Sequence, residues 1–302
     1  MENVLIQDHR GTPLNLSVFQ TKDLYCRGLV YLVHGMKDHS ARYFPFAEFL
    51  SQQGYVVVMH DQRGHGKTAV TLGYLGENAT WDNLVQNVHD GITYAKLRFP
   101  HLPVFLLGHS MGSFVALDYA KQFQGLSGLL LSGSAFQSPF LTFIGYCVSL
   151  FNQVLFGRHN KAYLIDFLVF FPFIVSVKNR RTPFDWLSRD ATISEHYRQD
   201  FYCQFTCTSS FYVQFFSGLF RLFNSKKPFL KQKLPILILS GDQDPVGGHL
   251  KHVKTLFNWL SQESHDISTC FYSGARHEVL NETNKNQVYQ DILLWLQDQN
   301  KP

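Results

Sequence analysis

Charge is scarce in this chain. Asp, Glu, Lys and Arg make up 17% of its 302 residues, against about 25% in an average soluble protein, and no run of glutamine, proline or like charge occurs. With hydrophobic residues at 45%, this composition excludes a disordered or low-complexity chain. The 27 basic residues outnumber the 23 acidic ones only slightly, and they are scattered except for short groups such as Lys178, Arg180 and Arg181. A nucleic-acid protein would carry a denser stripe, so no nucleic-acid partner is expected. Cysteine is sparse too: Cys26, Cys147, Cys203, Cys207 and Cys270 are odd in number and lack Cys-x2-Cys spacing. Neither a disulfide framework nor a zinc site is indicated, and a reducing cytoplasm fits best. The start, Met1-Glu2-Asn3-Val4, is acidic where a signal peptide is basic, and no apolar segment follows, so secretion is not expected. Long apolar runs are missing as well. The two nearest candidates, 141–156 and 163–177, are interrupted by Asn152 and Gln153 and by Asp166 and Pro172, short of the roughly 20 apolar residues of a membrane span.

What is present is alternation. Residues 4–6 and 14–19 flank a turn, His9-Arg10-Gly11-Thr12-Pro13, and read as an antiparallel hairpin. Residues 29–33, 55–59 and 104–107 are continuous apolar runs, the pattern of strands covered on both faces. Helical periodicity fills 41–52, 81–96 and 113–122. Strand and helix in turn imply an α/β fold with a mostly parallel twisted sheet, right-handed crossovers and a site at the carboxyl ends of the strands. After a strand at 129–131 the pattern changes, and 18 of the 28 phenylalanines fall between Phe136 and Phe229, under a third of the chain. Alternation resumes with strands at 235–239 and 267–272 and helices at 250–261 and 287–297. The expected division is a core at 1–135, an inserted, mainly helical lid at 136–232, and the rest of the core at 233–302. The two apolar lid stretches suit either helices packed on the core or a face resting on lipid.

The chemistry gathers where the strands end. The strand at 104–107 runs into Gly108-His109-Ser110-Met111-Gly112 and then a helix, the strand, sharp turn and helix in which a Gly-x-Ser-x-Gly pattern presents an exposed nucleophile. A serine hydroxyl needs a base, and the base needs an orienting acid. Both follow in order. The strand at 236–239 ends in Asp242-Gln243-Asp244, and the strand at 267–272 leads to Arg276-His277-Glu278. Asp244 is favoured as the acid by motif position, while Asp242, closer to the strand, suits capping of the turn. His65, His109 and His249 read as packing, turn or surface residues, because the base must reach Ser110 from a separate loop. Two backbone N–H groups must face the developing oxyanion: Met111, after the nucleophile, supplies one, and the loop His34-Gly35-Met36-Lys37-Asp38 nominates Met36 for the other.

With these pieces assembled, the chain resembles the α/β-hydrolase fold and, within it, the monoacylglycerol lipase and lysophospholipase group. The resemblance rests on His34-Gly35-Met36 through Tyr43, on Asp61-Gln62-Arg63-Gly64-His65-Gly66-Lys67-Thr68, on Gly108 to Gly112, on Gly241 to Asp244 and on Gly274 to Glu278. The lid segment Phe184-Asp185-Trp186-Leu187-Ser188-Arg189-Asp190, with Phe211-Tyr212, is similar to bacterial members. The resemblance implies Ser110 as nucleophile, His277 as base, Asp244 as its partner and Met36 and Met111 as the oxyanion hole. The unusual Phe content marks a departure in the lid, where substrate choice resides.

The expected function is cleavage of a monoacyl lipid ester, a glyceride or lysophospholipid, through an acyl-serine intermediate, with no metal or other cofactor. A thioesterase or peptidase would use the same trio. A peptidase would also need lid carboxylates for a substrate amine, and those are few: Asp166, Asp185, Asp190, Glu195 and Asp200. A non-catalytic lipid-binding protein on the same fold is the alternative of another class. The lid stretches are further expected to give weak peripheral contact with membranes.

Overall fold

The computed structural model describes residues 1–21, 26–263 and 266–300. Strands β1 (Glu2–Gln7) and β2 (Pro13–Phe19) form the hairpin, and β3 (Gly28–Val33) leads through a 3-10 turn, Ser40–Tyr43, into helix α1 (Phe44–Gln52). The turn occupies the first part of the periodic stretch, and Pro45, which has no N–H to donate, sits in the first turn of α1. Then follow β4 (Tyr55–His60), α2 (Trp81–Arg98), β5 (Val104–His109), α3 (Met111–Gln122) and β6 (Gly128–Ser132). Four helices, α4 (Pro139–Phe156), α5 (Tyr163–Ser176), α6 (Ala191–Gln199) and α7 (Ser209–Phe223), separate β6 from β7 (Ile236–Gly241). Helix α8 (Lys251–Leu260), β8 (Ile267–Tyr272) and α9 (Lys285–Asp298) complete the chain.

The eight strands make one sheet in the order β1-β2-β4-β3-β5-β6-β7-β8, antiparallel at β1, β2 and β4 and parallel elsewhere. Every residue of β3, β4, β5 and β7 is buried, as the continuous apolar runs predict. Alternate side chains serve opposite faces: Leu29, Tyr31 and Val33 join the core that includes α2 and α3 residues, whereas Val30 and Leu32 join the one beneath α1 and α9. Each such side chain contributes about 1.5–3 kcal/mol on burial. β3 has β4 on one side and β5 on the other, all three parallel, so the order in which successive strands are added reverses there and opens a crevice at the carboxyl ends of β3 and β5.

The inserted helices pack unevenly. Gly145 of α4 lies against the Phe216 ring of α7, and Asn152 accepts a hydrogen bond from Ser209 at 2.6 Å. The outward face is apolar and open. The only buried residues of α4 are Thr142 and Ser149, and of α5 only Ile165, while Phe151, Val154 and Tyr163 are 66%, 75% and 70% exposed. Helix α4 runs on through Asn152 and Gln153 to 18 residues, and among the described helices it alone has the length and composition to cross a membrane. It ends at Phe156, where the apolar stretch of the sequence also ends, and its 18 residues are just short of the roughly 20 typical of a full span. Both polar residues fall in the helix's last turn and a half, where they do not break it.

Candidate active site

Between β5 and α3 a single residue, Ser110, makes the turn. Its φ of 52° and ψ of −121° are unfavourable for an L-residue, at about 1–3 kcal/mol, and neighbouring hydrogen bonds hold them. The Ser110 N–H donates to the Ser132 carbonyl at 2.9 Å, and Ser113 donates its N–H and hydroxyl to the Ser110 carbonyl at 2.9 and 2.6 Å. Both glycines of the motif are sterically required. A Cβ on Gly108 would lie 2.3 Å from the Gly112 carbonyl oxygen, and one on Gly112 would lie 2.2 Å from that of Val33. Ser110 is left half-buried at the N-terminus of α3, whose dipole favours negative charge.

His277 arrives on the loop after β8 and Asp244 on the loop after β7, and the imidazole Nδ1 lies 3.0 Å from Asp244 Oδ2. Both side chains are buried. The other carboxylate oxygen of Asp244 accepts from the Val246 N–H at 2.9 Å, which fixes its orientation. Burial disfavours charge on His277, yet the Asp244 carboxylate and its hydrogen bond outweigh this and raise the pKa above the ordinary imidazole value. Asp242 is engaged elsewhere, accepting from the Gly274 N–H at 2.8 Å and so pinning the turn after β8. His109 packs 4.8 Å from the His277 ring and bonds Ser132 Oγ at 3.2 Å; burial, helped by the charge of His277, takes its pKa down to about 3. It therefore stays neutral. His65 is buried with Nδ1 against the Arg63 carbonyl, and His249 is exposed.

The loop after β3 approaches Ser110 so closely that a Cβ on Gly35 would sit 3.3 Å from that of the serine. Met36 follows, then Lys37 with a φ of 55°. Among the described residues, neither the Met36 nor the Met111 N–H is taken by a protein acceptor, so both are available as donors. Ser110, Met36, Met111 and His277 all line one cavity of about 270 Å3, whose remaining wall is largely apolar, with Phe114, Val169, Phe170, Phe173, Phe216 and Leu219 among its residues. Asp244 stands behind His277, outside that lining.

Sequence reasoning missed several neighbours. Trp186 lies with its ring 5.1 Å from that of His277 and 5.2 Å from that of Phe173, between that histidine and the apolar wall. Its segment is tied to the histidine loop, since the N–H groups of His277 and Glu278 donate to the carbonyls of Trp186 and Leu187 at 3.3 and 2.7 Å. Asp38, Arg42 and Glu278 form a buried ion cluster at the edge of the cavity, with Tyr197 over the guanidinium. Arg42 and Tyr43 stand in the motif that follows β3 and Glu278 adjoins the histidine, but their pairing across the chain leaves no local signal. Ligand atoms of His39, Asp200 and Cys203, and of Asp8, His9 and Asp90, also converge within 4.8 Å. Neither group lines the cavity, and in each a carboxylate already pairs with the histidine, at 2.7 and 3.0 Å.

The chain as a whole is similar to known proteins. The chain is 27% identical to a monoacylglycerol lipase of Mycolicibacterium smegmatis, over 91% of this chain and 90% of that protein, and 27% identical to the human monoglyceride lipase, over 89% and 82%. Among solved structures, a thermostable carboxyl esterase from Bacillus coagulans in complex with glycerol matches with a TM-score of 0.86 and 27% identity over 99% of both chains. A soluble variant of the Saccharomyces cerevisiae monoglyceride lipase shares the fold, with a TM-score of 0.76 and 21% identity over 100% of this chain and 95% of that one. The Hydrolase_4 family model, described as serine aminopeptidase, S33, matches residues 26–284; the chain belongs to that hydrolase family and is an α/β-hydrolase resembling the monoacylglycerol lipases.

Proposed function

We propose that the chain is a serine esterase acting on monoacyl lipids, a monoacylglycerol or a lysophospholipid. The observation that carries this is the meeting, in one apolar cavity, of a strained serine and a histidine that is bonded to a buried carboxylate. In the proposed cycle Ser110 Oγ attacks the ester carbonyl while His277 Nε2 takes its proton, and Asp244 holds the Nδ1–H and balances the imidazolium. The oxyanion faces the N–H groups of Met36 and Met111. Collapse breaks the acyl C–O bond, the leaving alcohol takes the proton from His277, and an acyl-serine remains. Water, deprotonated by His277, attacks that ester, and the fatty acid leaves as the Ser110 hydroxyl reforms.

An acyl chain suits the wall of Phe170, Phe173 and Phe216, since each buried methylene contributes about 0.8 kcal/mol. The relatives named as monoglyceride lipases, and a phospholipase of Bacillus subtilis at 26% identity, support the same class. The aminopeptidase description of the family favours a peptide instead, but a substrate ammonium needs a free carboxylate. The two carboxylates lining the cavity, Asp38 and Glu278, are both bound by Arg42.

Residues 136–232 serve in this reading as a lid on a core of 1–135 and 233–302. The open apolar faces of α4 and α5 rest on the lipid surface that supplies the substrate, in an enzyme of the cytoplasm that binds membranes peripherally. Fluorophosphonate labelling of the protein and of Ser110→Ala, followed by a panel of glycerol and lysophospholipid esters of graded acyl length, tests the proposal. Labelling lost in the variant, with preference for long monoacyl esters, is expected. Preference for short esters would refute the lipid substrate, and wild-type protein that does not label would refute the mechanism.

A further inference from the structure

We propose that Arg42 is a positioning residue for this site, a clamp that sets the distance between the loop carrying Met36 and the loop carrying His277. The inference rests on the serine esterase reading above. The geometry is specific. Arg42 Nη1 and Nη2 donate to Glu278 Oε1 and Oε2, each at 2.6 Å, in a two-pronged bond, and Nη1 also donates to Asp38 Oδ1 at 3.1 Å. The guanidinium thus joins two carboxylates that belong to different loops.

Each carboxylate is fixed in its own loop. Asp38 Oδ2 accepts from the Gly35 N–H at 3.1 Å and the Tyr43 hydroxyl at 2.6 Å, and Oδ1 accepts from the His39 N–H at 2.8 Å. These bonds shape the turn that presents Met36. Glu278 immediately follows His277, and its side chain also accepts from Asn281 Nδ2 at 3.1 Å. The side chains of Arg42, Asp38 and Glu278 are 10%, 4% and 4% exposed, so the pair is largely shielded from competing water. Helix α6 closes the cluster, with the Tyr197 ring 4.8 Å from the guanidinium carbon and its hydroxyl donating to the Lys37 carbonyl at 2.8 Å.

A planar fork can hold both carboxylates in fixed directions, whereas a lysine ammonium supplies charge without the direction. Arg42 touches no reacting atom in the proposed cycle. Its contribution lies in keeping an oxyanion donor and the base in register, where an error of about 1 Å costs on the order of a hundredfold in rate.

The test compares wild-type protein, Arg42→Lys and Glu278→Gln, each titrated with fluorophosphonate to count competent sites and melted thermally to check folding. Hydrolysis of p-nitrophenyl butyrate, a soluble ester that needs no lipid surface, is then measured per titrated site. Expected are a kcat lowered at least about tenfold in both variants with KM within about twofold, and a double variant no worse than the poorer single one, since both changes remove the same clamp. A wild-type kcat per site in Arg42→Lys would overturn the proposal, as would a loss confined to the number of titrated sites. If Arg42→Lys does not fold, Glu278→Gln decides by the same criteria. Wild-type protein that fails to label would instead remove the esterase reading beneath it, so the two failures are distinct.

Discussion

Replacing Asp244 by Asn changes one atom of the carboxylate and removes its charge, and the structure says which way the new amide must turn. Asp244 Oδ1 accepts from the Val246 N–H at 2.9 Å and Oδ2 faces His277 Nδ1 at 3.0 Å. The amide oxygen of Asn would keep the Val246 bond, because a nitrogen there would set two donors against each other. The amide nitrogen would then face Nδ1, which can accept only if the imidazole proton moves to Nε2. That tautomer points an N–H at Ser110 and cannot take its proton. The imidazolium formed in the proposed transition state would also lose its counter-charge in a buried place. A loss on the order of 10⁴ in kcat follows, about 5.5 kcal/mol of barrier. Asp242→Asn is the matched control. Its Oδ1 accepts from the Gly274 N–H, an amide oxygen accepts equally well, and a change below about threefold is expected. Steady-state hydrolysis of a soluble ester by both variants, with thermal melts to show intact folding, measures the difference. Asp244→Asn retaining a tenth of wild-type kcat, or Asp242→Asn proving the damaging change, would refute the assignment of the acid.

The pH profile follows from the same pair. The pKa of His277 is raised because the Asp244 carboxylate outweighs burial, and in its proposed role as base it works only when neutral. The kcat/KM of a neutral soluble ester should therefore fall as pH drops through an apparent pKa above the ordinary imidazole value of about 6.5; an acid limb centred below that value would contradict the direction. Gly112→Ala should cost about 3 kcal/mol or more in denaturant unfolding, because its Cβ would meet two backbone oxygens, at 2.2 and 2.4 Å. Gly11→Ala, with a φ of 73° but nothing within 4 Å, should cost only about 1 kcal/mol, and equal losses would mean that close approach is not what requires Gly112. On the outer face of α4, Phe151→Ser with Phe156→Ser removes two rings that are 66% and 64% exposed. Each ring could contribute up to about 2 kcal/mol on entering lipid, so liposome flotation should weaken at least tenfold while soluble-ester kcat stays unchanged. Flotation equal to wild type would argue against α4 as the contact.

Local signals in the sequence are strong where one segment decides its own structure. The runs at 29–33, 55–59 and 104–107 have to be covered on both faces, and β3, β4 and β5 are. The pentapeptide at Ser110 is legible because its two glycines are required by the backbone of the same turn and of the neighbouring strand. The Arg42–Glu278 bond joins residues 236 positions apart, and no periodicity relates such partners. Trp186 is hidden in another way: its segment is picked out by resemblance, but only folding sets its ring beside His277.

The four helices between β6 and β7 show how far composition can take the argument. Phenylalanine content says that residues 136–229 present apolar surface, but a count cannot say to what. The structure divides that surface in two. Leu141, Val169, Phe170 and Phe173 reach the cavity from α4 and α5, while Phe151, Val154, Phe156 and Phe167 of the same helices face outward at more than half exposure. An outward face of that kind is unfavourable in water, by about 25 cal/mol for each Å2 left exposed, so folding stability alone does not account for it. In the proposed reading both faces serve one lipid. Leu141, which lines the cavity and is still 64% exposed, belongs to both faces, so in that reading an acyl chain leaving a bilayer would pass from the outer surface into a largely apolar cavity at Ser110.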